Sequence, residues 1–162
     1  LSNHFGKDVF TNTFVNGFEK DILIVENMWY NELEKSEFAE VLMNRVKVIE
    51  FIQNEFGVEG EQLWLTFPDY VVFRNQKNKK WFAIIMDIEK SKLGLDGEGR
   101  VDIIDLRCDN ILIGSLIRNK GYLPAYHMNK KNWITVLLDD SVNDNELKDL
   151  IHFSYEIIKT KK

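Results

Sequence analysis

A single cysteine in 162 residues rules out an intramolecular disulfide. Cys108 follows the run Val101-Asp-Ile-Ile-Asp-Leu-Arg107, so it reads as a buried thiol at a strand end rather than a nucleophile. Histidine is also sparse: His4, His127 and His152 stand far apart, and without a second cysteine they make no zinc-type ligand spacing. No apolar run reaches the roughly 18 to 20 residues of a membrane-spanning helix. The opening Leu1-Ser-Asn-His-Phe5 lacks the basic and apolar regions of a secretory signal. The expectation is a cytoplasmic protein with no membrane partner. A start on Leu rather than Met suggests a processed or trimmed chain, or part of a longer one. Catalytic signatures are missing too. No Gly-Lys-Ser/Thr follows Gly94, Gly97 and Gly99, and Ser115 after Gly114 lacks the Gly-x-Ser-x-Gly elbow. Asp102 and Asp105 make no convincing carboxylate pair, because side chains alternate along a regular strand. No catalytic residue, metal ligand or cofactor site is therefore expected, and a non-enzyme is the reading.

The apolar content is ample, at 44% of residues, and a chain of this length buries about two-thirds of its unfolded surface. Charge is where the chain is uneven. The net charge of −5 argues against indiscriminate attraction to nucleic acid, but it hides a polarised distribution. Residues 1–40 carry three lysines against eight acids. Residues 71–86 contain Arg74, Lys77, Lys79 and Lys80, and residues 110–138 contain Arg118, Lys120, Lys130 and Lys131. Exposed turns collect such residues for solubility alone; a functional role requires both islands on one surface.

Periodicity and turn chemistry outline the elements. Asn16-Gly17 between Phe10-Thr-Asn-Thr-Phe-Val15 and Phe18-Glu-Lys-Asp-Ile-Leu-Ile-Val25 predicts a first hairpin. Residues 28–56 read as a helix with Leu42, Val46, Ile49, Ile52 and Phe56 on one face and Gly57 as its stop. Glu32, Glu34, Glu37 and Glu40 form an acidic stretch, a solvated face or, as in frataxin, a cation-handling surface. Strands are predicted at 63–67, 70–73, 80–88 and 101–107, with Phe82, Ile84, Met86 and Ile88 on the core side of the third. Asp109 caps a helix through Asn119. Pro124, with no amide donor, marks an edge strand or a strand's start. If 129–132 is a four-residue hairpin loop, Met128 lies opposite Trp133, Tyr126 opposite Thr135 and His127 faces Ile134. Asn143 and Glu146 open a last helix with Leu147, Leu150, Ile151, Ser154 and Ile158 inside.

The string Pro124-Ala-Tyr-His-Met-Asn-Lys-Lys-Asn-Trp133, with Val136-Leu-Leu-Asp139 and Leu150-Ile-His-Phe-Ser-Tyr155, resembles the MmcQ/YjbR family. Lys80-Trp-Phe-Ala83 and Asp105-Leu-Arg-Cys-Asp109 support it, the latter with Arg where the family more often has Lys. The resemblance covers roughly residues 42–160. It implies a two-layer α+β domain, an antiparallel sheet packed against helices, of CyaY-like or double-wing type. The domain division expected is 1–40, an N-terminal elaboration, and 41–162. The resemblance implies no reaction, and its DNA-binding association rests on fold analogy.

The leading functional expectation is nucleic-acid binding, DNA in particular, by two projecting turns. Arg74, Lys77, Lys79, Lys80, Lys130 and Lys131 are the candidate phosphate contacts, and Asn129 and Asn132 contact phosphates or base edges. Tyr126 and Trp133 support the turn by packing, and His127 orients the backbone rather than acting as a base. The alternative is a protein-interaction or small-ligand module built on Trp64, Tyr70, Trp81, Tyr126 and Trp133.

Overall fold

The computed structural model describes residues 44–160. The expected N-terminal hairpin, the acidic stretch, the earlier part of the first helix and the division near residue 40 lie outside them. Helix α1, Asn44–Phe56, ends at Gly57, whose φ of 61° and amide bond to the Gln53 carbonyl close the last turn. Its buried side is set by Val48 and Ile52; Val46, expected inside, is 40% exposed. Residues 63–67, expected as a strand, are not one. Glu61 forms an isolated bridge to Val72, after which the chain leaves the sheet through two tight turns, Phe67 to Trp64 and Tyr70 to Phe67.

Five strands follow: β1 Val71–Arg74, β2 Trp81–Glu89, β3 Arg100–Arg107, β4 Tyr122–Pro124 and β5 Trp133–Leu137. They form one antiparallel sheet in the order β1-β2-β3-β5-β4. Pro124 sits on edge strand β4, where a missing amide costs least. Helix α2, Asn110–Leu116, is capped by Asp109, whose carboxylate accepts the Leu112 amide at 2.8 Å, and it stops short of Asn119. Helix α3, Asp144–Thr160, follows Asn143, whose side chain accepts the Asn145 amide at 2.8 Å, and buries Leu147, Leu150, Ile151, Ser154 and Ile158 as its periodicity predicts. Glu146 does not complete a capping box; it accepts the Tyr122 hydroxyl at 2.7 Å. Among the described residues the fold is thus α+β, a five-stranded antiparallel sheet with three α-helices.

Both faces of the sheet are apolar. The helices cover the face of Val71, Phe73, Ala83, Ile85, Ile104, Leu106, Ile134 and Val136. The opposite face gathers Val72, Ile84, Met86, Ile88, Ile103, Trp133 and Leu137. Phe82 was expected to share a face with Ile84, but it packs with the helix-side cluster. A register shift at Phe73/Arg74 pairs Arg74 with Trp81 and leaves Phe82 as the extra residue of a bulge, which reverses the alternation beyond it. The Ser154 hydroxyl, fully buried on α3, repairs the ladder there. It donates to the Phe82 carbonyl and accepts the Arg107 amide, satisfying two groups that have no strand partner.

Candidate nucleic-acid interface

Antiparallel pairing decides which connections share an end of the sheet. The register pairs Arg74 with Trp81, Arg107 with Trp133 and Pro124 with Ile134, so those residues lie toward the same end. The connections 75–80 and 125–132 both leave from that end. In the order β1-β2-β3-β5-β4 they are about three inter-strand spacings apart, roughly 14 Å. Arg118 and Lys120 do not join them; they precede Tyr122, which pairs with Val136 toward the opposite end.

The first turn is built on Asn75, which is buried. Its side-chain oxygen accepts the amides of Lys77 at 2.9 Å and Asn78 at 3.3 Å, and its carbonyl accepts the Lys79 amide. Asn78 ties the turn to α3 through the Ile158 carbonyl at 3.0 Å. Lys79 takes the left-handed conformation, φ 59°, that completes the reversal. Lys77 and Lys79 end up exposed. Lys80 is half-buried at the start of β2. Arg74 turns back from the tip: its guanidinium meets Glu61 at 3.1 Å and lies 5.2 Å from the Trp81 ring.

In the second connection β4 ends at Pro124, so the register expected for Met128, His127 and Tyr126 opposite β5 does not form. Instead the Tyr126 amide bonds the Thr135 hydroxyl at 2.9 Å, and the rest is a wide loop. Asn129 accepts the Lys131 amide through its side chain and the Asn132 amide through its carbonyl, each at 3.0 Å. With its amide oriented to satisfy both atoms, Asn132 spans the Asn129 carbonyl at 3.1 Å and Arg107 at 3.3 Å. Asn129 and Asn132 therefore build the turn, leaving Lys130 and Lys131 exposed on it. Trp133 is buried beneath the Arg107 guanidinium, 4.8 Å from its ring. Burial lowers the Arg107 pKa from its ordinary value. His127, exposed with φ 56°, packs its ring against Tyr126 at 4.1 Å.

The second connection and the start of β2 wall a cleft on the sheet face away from the helices. Trp81, Tyr126, His127 and Met128 line it together with Trp64, Phe67 and Tyr70, over a floor of Ile84 and Met86. Its volume is about 280 Å³. Trp64 packs edge to face against Tyr70 at 6.1 Å and Trp81 at 6.0 Å, while Phe67 stacks on Tyr70 at 4.8 Å. The loop that fails to form a strand thus supplies one wall. Leu65 on it is 101% exposed and Phe67 is 49% exposed.

Asp105 pairs across strands with both Ile84 and Thr135. It is fully buried, its Oδ1 accepts the Thr135 hydroxyl, and its Oδ2 has no partner. Burial raises its pKa from 3.8 to about 7; the Thr135 hydrogen bond and the Tyr126 amide pull it down. The chain Asp105–Thr135–Tyr126 pins the start of the second connection to the sheet. Asp102 is on the other side of β3, 2.6 Å from Arg45, so the two carboxylates do not meet. Cys108 is buried, and burial raises its thiol to about 11, which makes it a poor nucleophile at neutral pH. Among the described residues no group of three or more His, Cys, Asp or Glu is placed to hold a metal ion, and no helix is long and apolar enough to cross a membrane.

Sequence reading named the lysines and, for the alternative module, Trp64, Tyr70, Trp81 and Tyr126, which line the cleft while Trp133 does not; it missed Phe67 and the burial of Asp105. One available signal was that β3 is apolar at both parities, which puts any carboxylate within it at risk of burial.

A family model described as YjbR matches residues 56–157. YyaQ of Bacillus subtilis (strain 168), described as an uncharacterized protein, is 32% identical over 118 residues, 73% of this chain and 100% of YyaQ. A crystal structure of a Pseudomonas syringae protein is 44% identical with a TM-score of 0.69, covering 71% of this chain and 98% of that one. A solution NMR structure from the same organism has a TM-score of 0.66 at 44% identity, covering 71% of this chain and 92% of that one.

Proposed function

Because this chain belongs to the YjbR family, and the matched residues 56–157 include both basic turns, we propose that it binds nucleic acid through Lys77, Lys79, Lys130 and Lys131. The observation that carries the proposal is that the two turns leave the same end of the sheet, each with exposed lysines that have no side-chain partner among the described residues. Arg74 is engaged by Glu61 and Asn132 by its own turn, so both serve as scaffold. Lys80 and Asn129 flank the contact points. Cations at this spacing contact phosphates and carry no sequence information directly, so binding is backbone-dominated and salt-sensitive. No catalytic step is assigned to the site.

Fluorescence anisotropy with a labelled single strand and a duplex across a salt series tests this. Four phosphate contacts give a log–log salt slope of about −3 on a single strand and about −4 on a duplex. The Lys130→Glu/Lys131→Glu variant removes two contacts and should flatten the single-strand slope by at least about 1.4. Unchanged affinity in the folded double variant would remove this surface from nucleic-acid binding. The second reading, a protein or small-ligand module with no nucleic-acid role, draws on the aromatic cleft and predicts binding indifferent to those lysines.

A further inference from the structure

The inference here rests on the nucleic-acid reading and refines its ligand. We propose that the aromatic cleft beside the second turn receives an unpaired nucleobase, so that the ligand is a single strand rather than a duplex.

The cleft lining adjoins the cations along the chain. Trp81 directly follows Lys80 at the end of the first turn, and Tyr126, His127 and Met128 directly precede Asn129 and Lys130 in the second. A nucleotide has the matching division: a planar, largely apolar base at one end and an anionic phosphate at the other. The cleft lining supplies little besides aromatic and aliphatic surface, with His127 its one strongly polar ring. A ligand bound there must place its charge outside the cleft, and Lys130 and Lys131 stand two and three positions after the lining residue Met128.

Size and rigidity agree with a base. At about 280 Å³ the cleft is close to the smallest of typical ligand pockets, roughly 300 Å³, and suits one ring system rather than an extended molecule. Its walls are braced: the perpendicular packing of Trp64 on Trp81 (88°) and on Tyr70 (77°) holds the rings as a frame. Tyr126 is anchored to the sheet by its amide bond to Thr135, so the wall beside the lysines is held in place. In a duplex the bases are paired and stacked inside and cannot enter such a cleft. In a single strand every base offers a π face, and aromatic stacking is sequence-tolerant.

The test uses the full chain and three probes of about a dozen nucleotides: an oligothymidylate, an abasic strand of the same charge, and a duplex. The expected result is that the oligothymidylate quenches tryptophan emission and binds about 5- to 150-fold more tightly than the abasic strand, the range of one stacked base. Tyr126→Ala and Phe67→Ala should lower oligothymidylate affinity toward the abasic value and leave abasic binding unchanged. Equal affinity for the base-bearing and abasic strands in the unmodified protein overturns the inference, as does a duplex that binds as well as the single strand. If that abasic binding is still lost in Lys130→Glu/Lys131→Glu, the turns remain the binding surface and only the base site is wrong. Absence of binding to all three probes at low salt overturns both proposals.

Discussion

Replacing Asp105 with Asn should convert a pH-dependent stability into a flatter one. The Asp105 carboxyl is fully buried, with the Thr135 hydroxyl on one oxygen and nothing on the other. Burial holds its pKa at about 7, against 3.8 ordinarily, because the anion has lost its water and gained a single side-chain donor. Between these values the unfolded chain has released the proton and the folded chain has kept it. The folded state binds more protons, so stability falls as pH rises. The loss is absent below about pH 3.8, and levels off above about pH 7 at about 4 kcal/mol, from about 1.4 kcal/mol per tenfold change in proton affinity. Asn keeps an oxygen for the Thr135 hydroxyl but places an amide hydrogen where Oδ2 has no partner. That adds a pH-independent cost of about 1 to 3 kcal/mol. The informative quantity is the change in the Asp-versus-Asn difference with pH, which cancels the constant cost. Urea unfolding of both proteins at pH 4 and pH 8, fitted with a common m-value, should show the variant gaining about 4 kcal/mol relative to the parent across that interval. A difference that stays constant with pH would refute the argument that Asp105 is held neutral by burial.

Two further substitutions test the scaffold under the site. Ser154→Ala strands the Phe82 carbonyl and the Arg107 amide inside the helix-covered core, and chemical denaturation should register a loss of about 2 to 4 kcal/mol. A loss below about 0.5 kcal/mol would mean that the bulge satisfies its own backbone. Gly121→Ala places a Cβ at φ 89°, 2.5 Å from Val142 Cγ2 and 2.6 Å from Ser141 Oγ, so the melting temperature should drop by the equivalent of about 1 to 3 kcal/mol. An unchanged melting temperature would contradict the close packing of this turn on the start of α3.

The features legible in the sequence are those whose causes are local. Gly57 stops α1 and Asp109 caps α2, because a left-handed φ and an N-terminal carboxylate act over a single turn. Leu147, Leu150, Ile151, Ser154 and Ile158 mark the inside of α3, because helical spacing puts them on one stripe. Pro124 points to an edge because it cannot donate to a ladder. The lysines of both turns were visible too, since turns declare themselves by composition. The register of β4 on β5 was not legible, because the 125–132 loop is held by Tyr126 on Thr135 rather than by a tight hairpin. Ile84, Met86 and Ile88 share a face of β2 as their spacing indicates, but Phe82 was misplaced because it is a bulge residue, specified by pairing with β1. Leu63-Trp-Leu-Thr-Phe67 has strand-like composition, but the sheet pairs the chain only before it, at the Glu61–Val72 bridge. The chain's own local chemistry determined which residues begin, end and line its elements. Only the tertiary pairing order β1-β2-β3-β5-β4, a consequence of long-range contacts, decided that two basic turns some fifty residues apart share one sheet end and that the second of them walls an aromatic cleft, with Asp105 buried on the same face of the sheet.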